Sequence, residues 1–227
     1  MIKFIIIFSL SLSACAENNK LEKILVKLNS FNADFVQIVK DSTNQIIDES
    51  SGRVMFKKPN YFRWEYEAPS KNEIISDGEF LYLYDQDLKQ VIVSKLNKQL
   101  GMSPAMLLVS DNVHESFNTK LISNSSNIKK YEATPKDLER AFFKQVIFNF
   151  NLDRLKEMKV IDNFDNETTI QFFKVIQNQD INEGKFPDSI ATLSDFPLEK
   201  ISLWPTISSR TFGLNFSASG IEISEVI

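Results

Sequence analysis

Apolar residues along the chain keep two different periods. Leu21, Ile24, Leu25 and Leu28 recur at i, i+3, i+4 and i+7, the spacing of one face of a helix of about three turns. Beyond Leu28 the period drops to two. Phe31, Ala33 and Phe35 share one face, and Phe62, Trp64 and Tyr66 alternate with Arg63, Glu65 and Glu67, the mark of half-buried antiparallel strand. Further strands are predicted at 44–56, 72–76, 80–84, 90–94, 117–122, 142–150, 155–161 and 168–177. Turns fall at Lys58-Pro59-Asn60, Ser76-Asp77-Gly78 and Asn163-Phe164-Asp165-Asn166, where Gly, Pro, Asn and Asp supply turn geometry.

One helix interrupts the strands. Ser103 is placed to cap it, Pro104 fits the first helical position, and Ala105, Met106, Leu107, Leu108 and Val109 continue it. It is apolar on nearly every side, so it must be covered on more than one face. Short meandering strands with few helices predict a mainly β fold: an unclosed, strongly curved antiparallel half-barrel, its apolar concave face lidded by helices.

The first sixteen residues read as an address. Lys3 precedes the apolar run Phe4 to Leu12, and Ala14-Cys15-Ala16 fits a small-residue cleavage site, the pattern of a secretory signal. Leu12-Ser13-Ala14-Cys15 also resembles a bacterial lipobox, in which Cys15 would be acylated and anchor the chain to a membrane. Either route exports the protein. After Ala16 no apolar run reaches the length of a membrane helix.

Composition narrows the function. With one His and one Cys in 227 residues, a zinc site or an internal disulfide framework is not expected. A net charge of -4 without a basic block gives nucleic acid no field to follow. His114 has no nucleophile at triad spacing, and Asp85 and Asp87 sit in a hairpin turn, so a hydrolase built on either is the weakest reading. No glycine-rich phosphate loop occurs. No cofactor and no metal are expected.

Phe31-Asn32-Ala33-Asp34-Phe35-Val36-Gln37, Gly52, the run from Lys58-Pro59-Asn60-Tyr61-Phe62-Arg63-Trp64 through Ala68-Pro69, then Ile75-Ser76-Asp77-Gly78, Leu83-Tyr84-Asp85 and Gln90-Val91 resemble the LolA family of periplasmic lipoprotein carriers. The likeness runs from about Leu21 to about Ile181. It implies a carrier and not an enzyme, a monomer in the periplasm of a Gram-negative bacterium. Its partners would be acylated lipoproteins, an inner-membrane lipoprotein-releasing ABC transporter and an outer-membrane receptor lipoprotein. The membrane-anchored alternative is an acceptor lipoprotein acylated at Cys15.

On this likeness the chain divides into a signal peptide at 1–16, a carrier domain at 17–183 and a divergent segment at 184–227 packed on or beside the barrel. The expected acyl-chain wall is Phe35, Phe62, Trp64, Tyr66, Leu81, Leu83, Phe148 and Phe150, with no strong polar anchor among them. The expected lid is Met102, Met106 and Leu107, in which the thioethers of the two methionines would adapt to varied chains. Such a stripe also suits an ordinary core. Lys58 stands where the family usually carries an arginine that latches the lid to backbone carbonyls. A lysine holds fewer carbonyls at once than a planar guanidinium, so a more easily opened lid is expected.

Overall fold

The computed structural model describes residues 20–96, 106–109, 113–139, 141–186 and 200–203. Helix α1 (Lys20–Lys27) leads into β1 (Ser30–Lys40), β2 (Ile46–Lys57), β3 (Tyr61–Ala68), β4 (Asn72–Asp77), β5 (Phe80–Asp85) and β6 (Gln90–Lys95). Two short helices follow, α2 (Met106–Val109) and α3 (Val113–Ser116). The meander then resumes with β7 (Phe117–Ser125), β8 (Ile128–Pro135), β9 (Phe143–Asn151), β10 (Arg154–Asp162) and β11 (Glu167–Gln177), and β12 (Lys200–Leu203) comes last.

All the strands join one sheet in the order β12-β6-β5-β4-β3-β2-β1-β11-β10-β9-β8-β7. Neighbours are antiparallel except β12, which adds to β6 in parallel. The two chain halves meet where β1 pairs β11, with Phe35 opposite Phe172 and Gln37 opposite Ile170. The sheet ends at β7 and β12 and does not close, as the alternation predicts.

Register fixes which residues look inward. Phe35 faces Gly52, Gly52 faces Tyr66, Trp64 faces Ile74, and Ile74 faces Leu83; directly paired residues share a face. Continuing through Ile170, Met158, Phe148 and Tyr131, these positions form one buried cluster on the concave side. Leu21 and Leu25 of α1, Leu28 just beyond it, Leu107, Leu108 and Val109 of α2, and Val113 of α3 belong to the same cluster. Three consecutive buried residues in α2 bear out the need for cover on more than one face. On the opposite side of β4 to β6, Ile75, Tyr82, Tyr84, Val91 and Val93 form a second cluster, so β5 is apolar on both faces.

Three elements depart from the sequence reading, the first being β12, a parallel addition to β6 within the segment 184–227. Strand β8 was not expected, because Lys129, Lys130 and Glu132 leave only Tyr131 and Ala133 to mark its inner face; Tyr131 and Ala133 are nonetheless buried. Helix α3 was also not expected: four residues carry too little periodicity to read. Residues 103–105, Met102, Cys15 and the signal segment lie outside the described residues.

Gly52 is required by close approach. A Cβ there would lie 1.8 Å from the Glu65 carbonyl oxygen, at the irregularity where β2 and β3 shift register. Because the obstacle is backbone, Gly52→Ala must push two central strands apart. It is expected to cost on the order of 3 kcal/mol in urea unfolding, with an unchanged stability counting against this packing.

Candidate functional site

The concave wall gathers every residue expected there. Phe35, Phe62, Trp64, Tyr66, Leu81, Leu83, Phe148 and Phe150 all belong to the one buried cluster. Their spacing follows from the pleat: Phe62, Trp64 and Tyr66 are alternate residues of β3, and Phe148 and Phe150 of β9. Phe35 reaches across from β1, its ring centroid 4.7 Å from that of Trp64 and 5.4 Å from that of Tyr66. Gly52 lies between Phe35 and Tyr66 in register and adds no side chain to that row. Phe148 and Phe150 stack at 6.4 Å, and Tyr131 of β8 meets Phe150 edge-on at 6.0 Å. Offset and edge-on geometries of this kind suit ring quadrupoles.

The roof is thin. Helices α1 and α3 lie against β7, and the Nδ1 atom of His114 on α3 pairs with Glu22 of α1. His114 is thus an exposed residue joining two covering helices, a role its flanking sequence did not signal. Lys136 Nζ donates to the His114 carbonyl at 2.6 Å. Leu107 is buried in the roof. Met106 opens α2, and Met102 lies outside the described residues.

Lys58 reaches a helix carbonyl. Its Nζ donates to Leu25 O at 3.0 Å, and the same oxygen accepts from Leu28 N at 3.0 Å. Leu25 lies in the last turn of α1, where carbonyls lack helical partners and favour a cation. The lysine comes from the turn joining β2 to β3, whose Asn60 takes φ 66°, a conformation asparagine tolerates.

The wall is not purely apolar, contrary to the expectation of no strong polar anchor. At one end the Tyr66 hydroxyl donates to Gln37 Oε1 at 3.4 Å, and Gln37 Nε2 donates to Ser50 Oγ at 3.3 Å. Gln37 is fully buried. Asp48 continues the row, opposite Val39. Burial pushes the Tyr66 phenol up, Asp48 adds to the rise, and Gln37 and Trp64 oppose it. Burial likewise raises Asp48, against a hydrogen bond from Ser50. A Gln and a Ser at inward strand positions were the signal for this row: period two places both on the concave face.

The other candidates serve structure. Asp85 Oδ1 accepts from Leu88 N at 2.9 Å, closing the hairpin turn as its sequence implied. Among the described residues no cluster of His, Cys, Asp and Glu is arranged to hold a metal ion, and no described helix is long and apolar enough to cross a membrane.

Residues 26–188 match the sequence profile of the family described as Outer membrane lipoprotein carrier protein LolA. An outer-membrane lipoprotein carrier protein of Nitrosospira multiformis is 38% identical over 161 residues, covering 70% of this chain and 77% of that protein. One of Nitrosomonas europaea is 32% identical over 203 residues, covering 84% and 98%. An uncharacterised conserved protein of Thermus thermophilus has a similar crystal structure, with TM-score 0.51 at 12% identity, covering 81% of this chain and 99% of that one; it shares the fold.

The raised Asp48 makes a signed prediction. A carboxyl raised on folding favours the protonated form, so its ionisation works against the fold as pH rises through the carboxylate range. Asp48→Asn is therefore expected to be more stable than wild type at pH 7, the gain disappearing as pH falls below the ordinary value of 3.8. Thermal unfolding at both pH values checks this; a variant less stable at pH 7 overturns it.

Proposed function

The chain belongs to the LolA family of outer membrane lipoprotein carrier proteins, and from that premise we propose that it holds lipoprotein acyl chains between its concave sheet and the covering helices. It takes them from an inner-membrane lipoprotein-releasing ABC transporter and yields them to an outer-membrane receptor lipoprotein. It works in the periplasm, as a monomer, without covalent chemistry or cofactor. A leader at 1–16, a carrier domain at 17–183 and an added segment at 184–227 are the division this reading adopts; β12, pairing with β6, supports placing the added segment beside the sheet.

The observation that carries the proposal is the wall itself, a continuous apolar surface on one side of an unclosed sheet. An acyl chain of about 16 carbons exposes on the order of 12 kcal/mol of apolar surface to water, at about 0.8 kcal/mol per methylene. A lipoprotein therefore crosses an aqueous space only if something replaces the bilayer around its chains. In this reading Phe35, Phe62, Trp64, Tyr66, Leu81, Leu83, Phe148 and Phe150 are that replacement, and Met102, Met106 and Leu107 belong to the lid. Each hand-off is a difference in affinity between successive sites.

Lys58 is assigned the latch. By holding Leu25 O it restrains α1, which lies over the wall, so opening requires that bond to break. Arginine at this position is expected to slow uptake and release of a fluorescent acyl probe, and Lys58→Met to speed both. Stopped-flow rates unchanged in both variants remove the latch.

The lipobox likeness at Cys15 supports one rival, an acceptor fixed to a membrane by its own acyl chains. One experiment separates the two. A purified chain beginning at Glu17 is expected to release newly made lipoproteins from spheroplasts into a soluble complex, and a folded Leu83→Glu variant, with a charge in the wall, to release few. Failure of the folded wild-type chain favours the anchored acceptor.

A further inference from the structure

Two buried polar atoms of the concave wall have no hydrogen-bond partner among the described residues: the indole Nε1 of Trp64 and Oδ1 of Asn72. Trp64 is only 3% exposed. Buried polar groups almost always find partners, so each exception calls for a reason. These two are neighbours. Trp64 pairs with Ile74, and Asn72 pairs with Tyr66, which makes them diagonal positions on β3 and β4, about 7 to 8 Å apart at the backbone and within reach of long side chains.

The polar row beside them does not meet their need. The Tyr66 hydroxyl donates toward β1, to Gln37, which donates on to Ser50. The Trp64 side chain approaches the Tyr66 hydroxyl closely enough to oppose, as a weak hydrogen bond, the rise that burial gives the phenol, but the approach falls short of full hydrogen-bond geometry and leaves the N–H under-satisfied. An unmet donor and an unmet acceptor thus flank one hydroxyl inside an apolar wall.

We propose that Trp64 and Asn72 form a subsite for the amide that joins an acyl chain to the amino terminus of its cargo, the indole N–H donating to the amide carbonyl and Asn72 Oδ1 accepting the amide N–H. The inference rests on the carrier reading and deepens it: the wall takes the hydrocarbon, and this pair fixes where along the wall the chain begins. An ester offers the acceptor and lacks the donor, so it fills half the site.

The test uses three uncharged probes of matched length, N-methylhexadecanamide, methyl hexadecanoate and octadecane, each displacing a fluorescent acyl probe from the full mature chain. Trp64→Phe keeps an aromatic ring in the wall and loses the donor; it is expected to weaken the amide and the ester about ten-fold more than it weakens the hydrocarbon. Asn72→Val is expected to weaken the amide alone, and it carries the test if the tryptophan variant does not fold. Variants that weaken all three probes equally, or none, overturn the subsite while leaving the carrier intact. A wild-type chain that binds none of the three overturns the carrier reading and the subsite with it.

Discussion

A sheet that curls without closing has an inside that its own strands cannot seal. In this molecule that inside is almost wholly apolar, running from Phe117 and Tyr131 on one flank through Phe35 and Trp64 to Leu81 and Leu83 on the other. Something must keep water from it, and among the described residues the cover is three short helices. Helix α1 has eight residues, α2 and α3 four each. A four-residue helix has no stability of its own in water, so the roof exists because the wall holds it there. The dependence runs one way: the antiparallel ladder is secured by its own backbone bonds, while the cover is secured mainly by side-chain burial and by ties such as Lys58 to Leu25. A guest that offers the wall equivalent apolar surface competes with the roof and not with the sheet.

The polar row at one end of the wall changes the character of the interior. Gln37 and Ser50 occupy inward positions that the pattern otherwise reserves for apolar residues, and their hydrogen bonds are long, at 3.3 and 3.4 Å. Low surrounding dielectric makes every polar atom there more demanding than in water. An interior built of hydrocarbon alone cannot distinguish one position of an acyl chain from another. A localised set of donors and acceptors supplies that distinction, because a polar linkage placed anywhere else along the wall is left unpaired.

Most of the architecture was legible because its signals are local. The period-two runs of β1 and β3, the turns at Pro59 and Gly78, and the i, i+3, i+4, i+7 spacing of α1 each act over a few residues, and the described structure follows them. Strand β8 was not legible, since Lys129, Lys130 and Glu132 dominate its composition and its inward Tyr131 and Ala133 gain meaning only when paired with Phe148 and Val146. Lys58 was singled out only through the family resemblance, and its tie to Leu25, like that of His114 to Glu22, links residues far apart in sequence. Nothing in their immediate neighbours announces such contacts. The wall was legible as a stripe of residues, but whether a stripe is a core or a surface for a guest depends on what covers it, which is a property of the assembled sheet.

A carrier must also let go. Apolar burial scales with area and carries no direction, so a wall large enough to extract a chain from a membrane is by itself a wall that retains it. The arrangement here divides the task between two kinds of interaction. The hydrocarbon face provides affinity, spread over many weak contacts that a neighbouring apolar site can replace piece by piece. On the proposed reading the roof would set the barrier, because its helices are short and held by a few polar contacts such as His114 to Glu22 and Lys58 to Leu25. Leu21, Leu25, Leu107 and Leu108 are buried beneath that roof, so on the proposed carrier reading their re-burial would offset part of the cost of releasing the chain and couple release to closure.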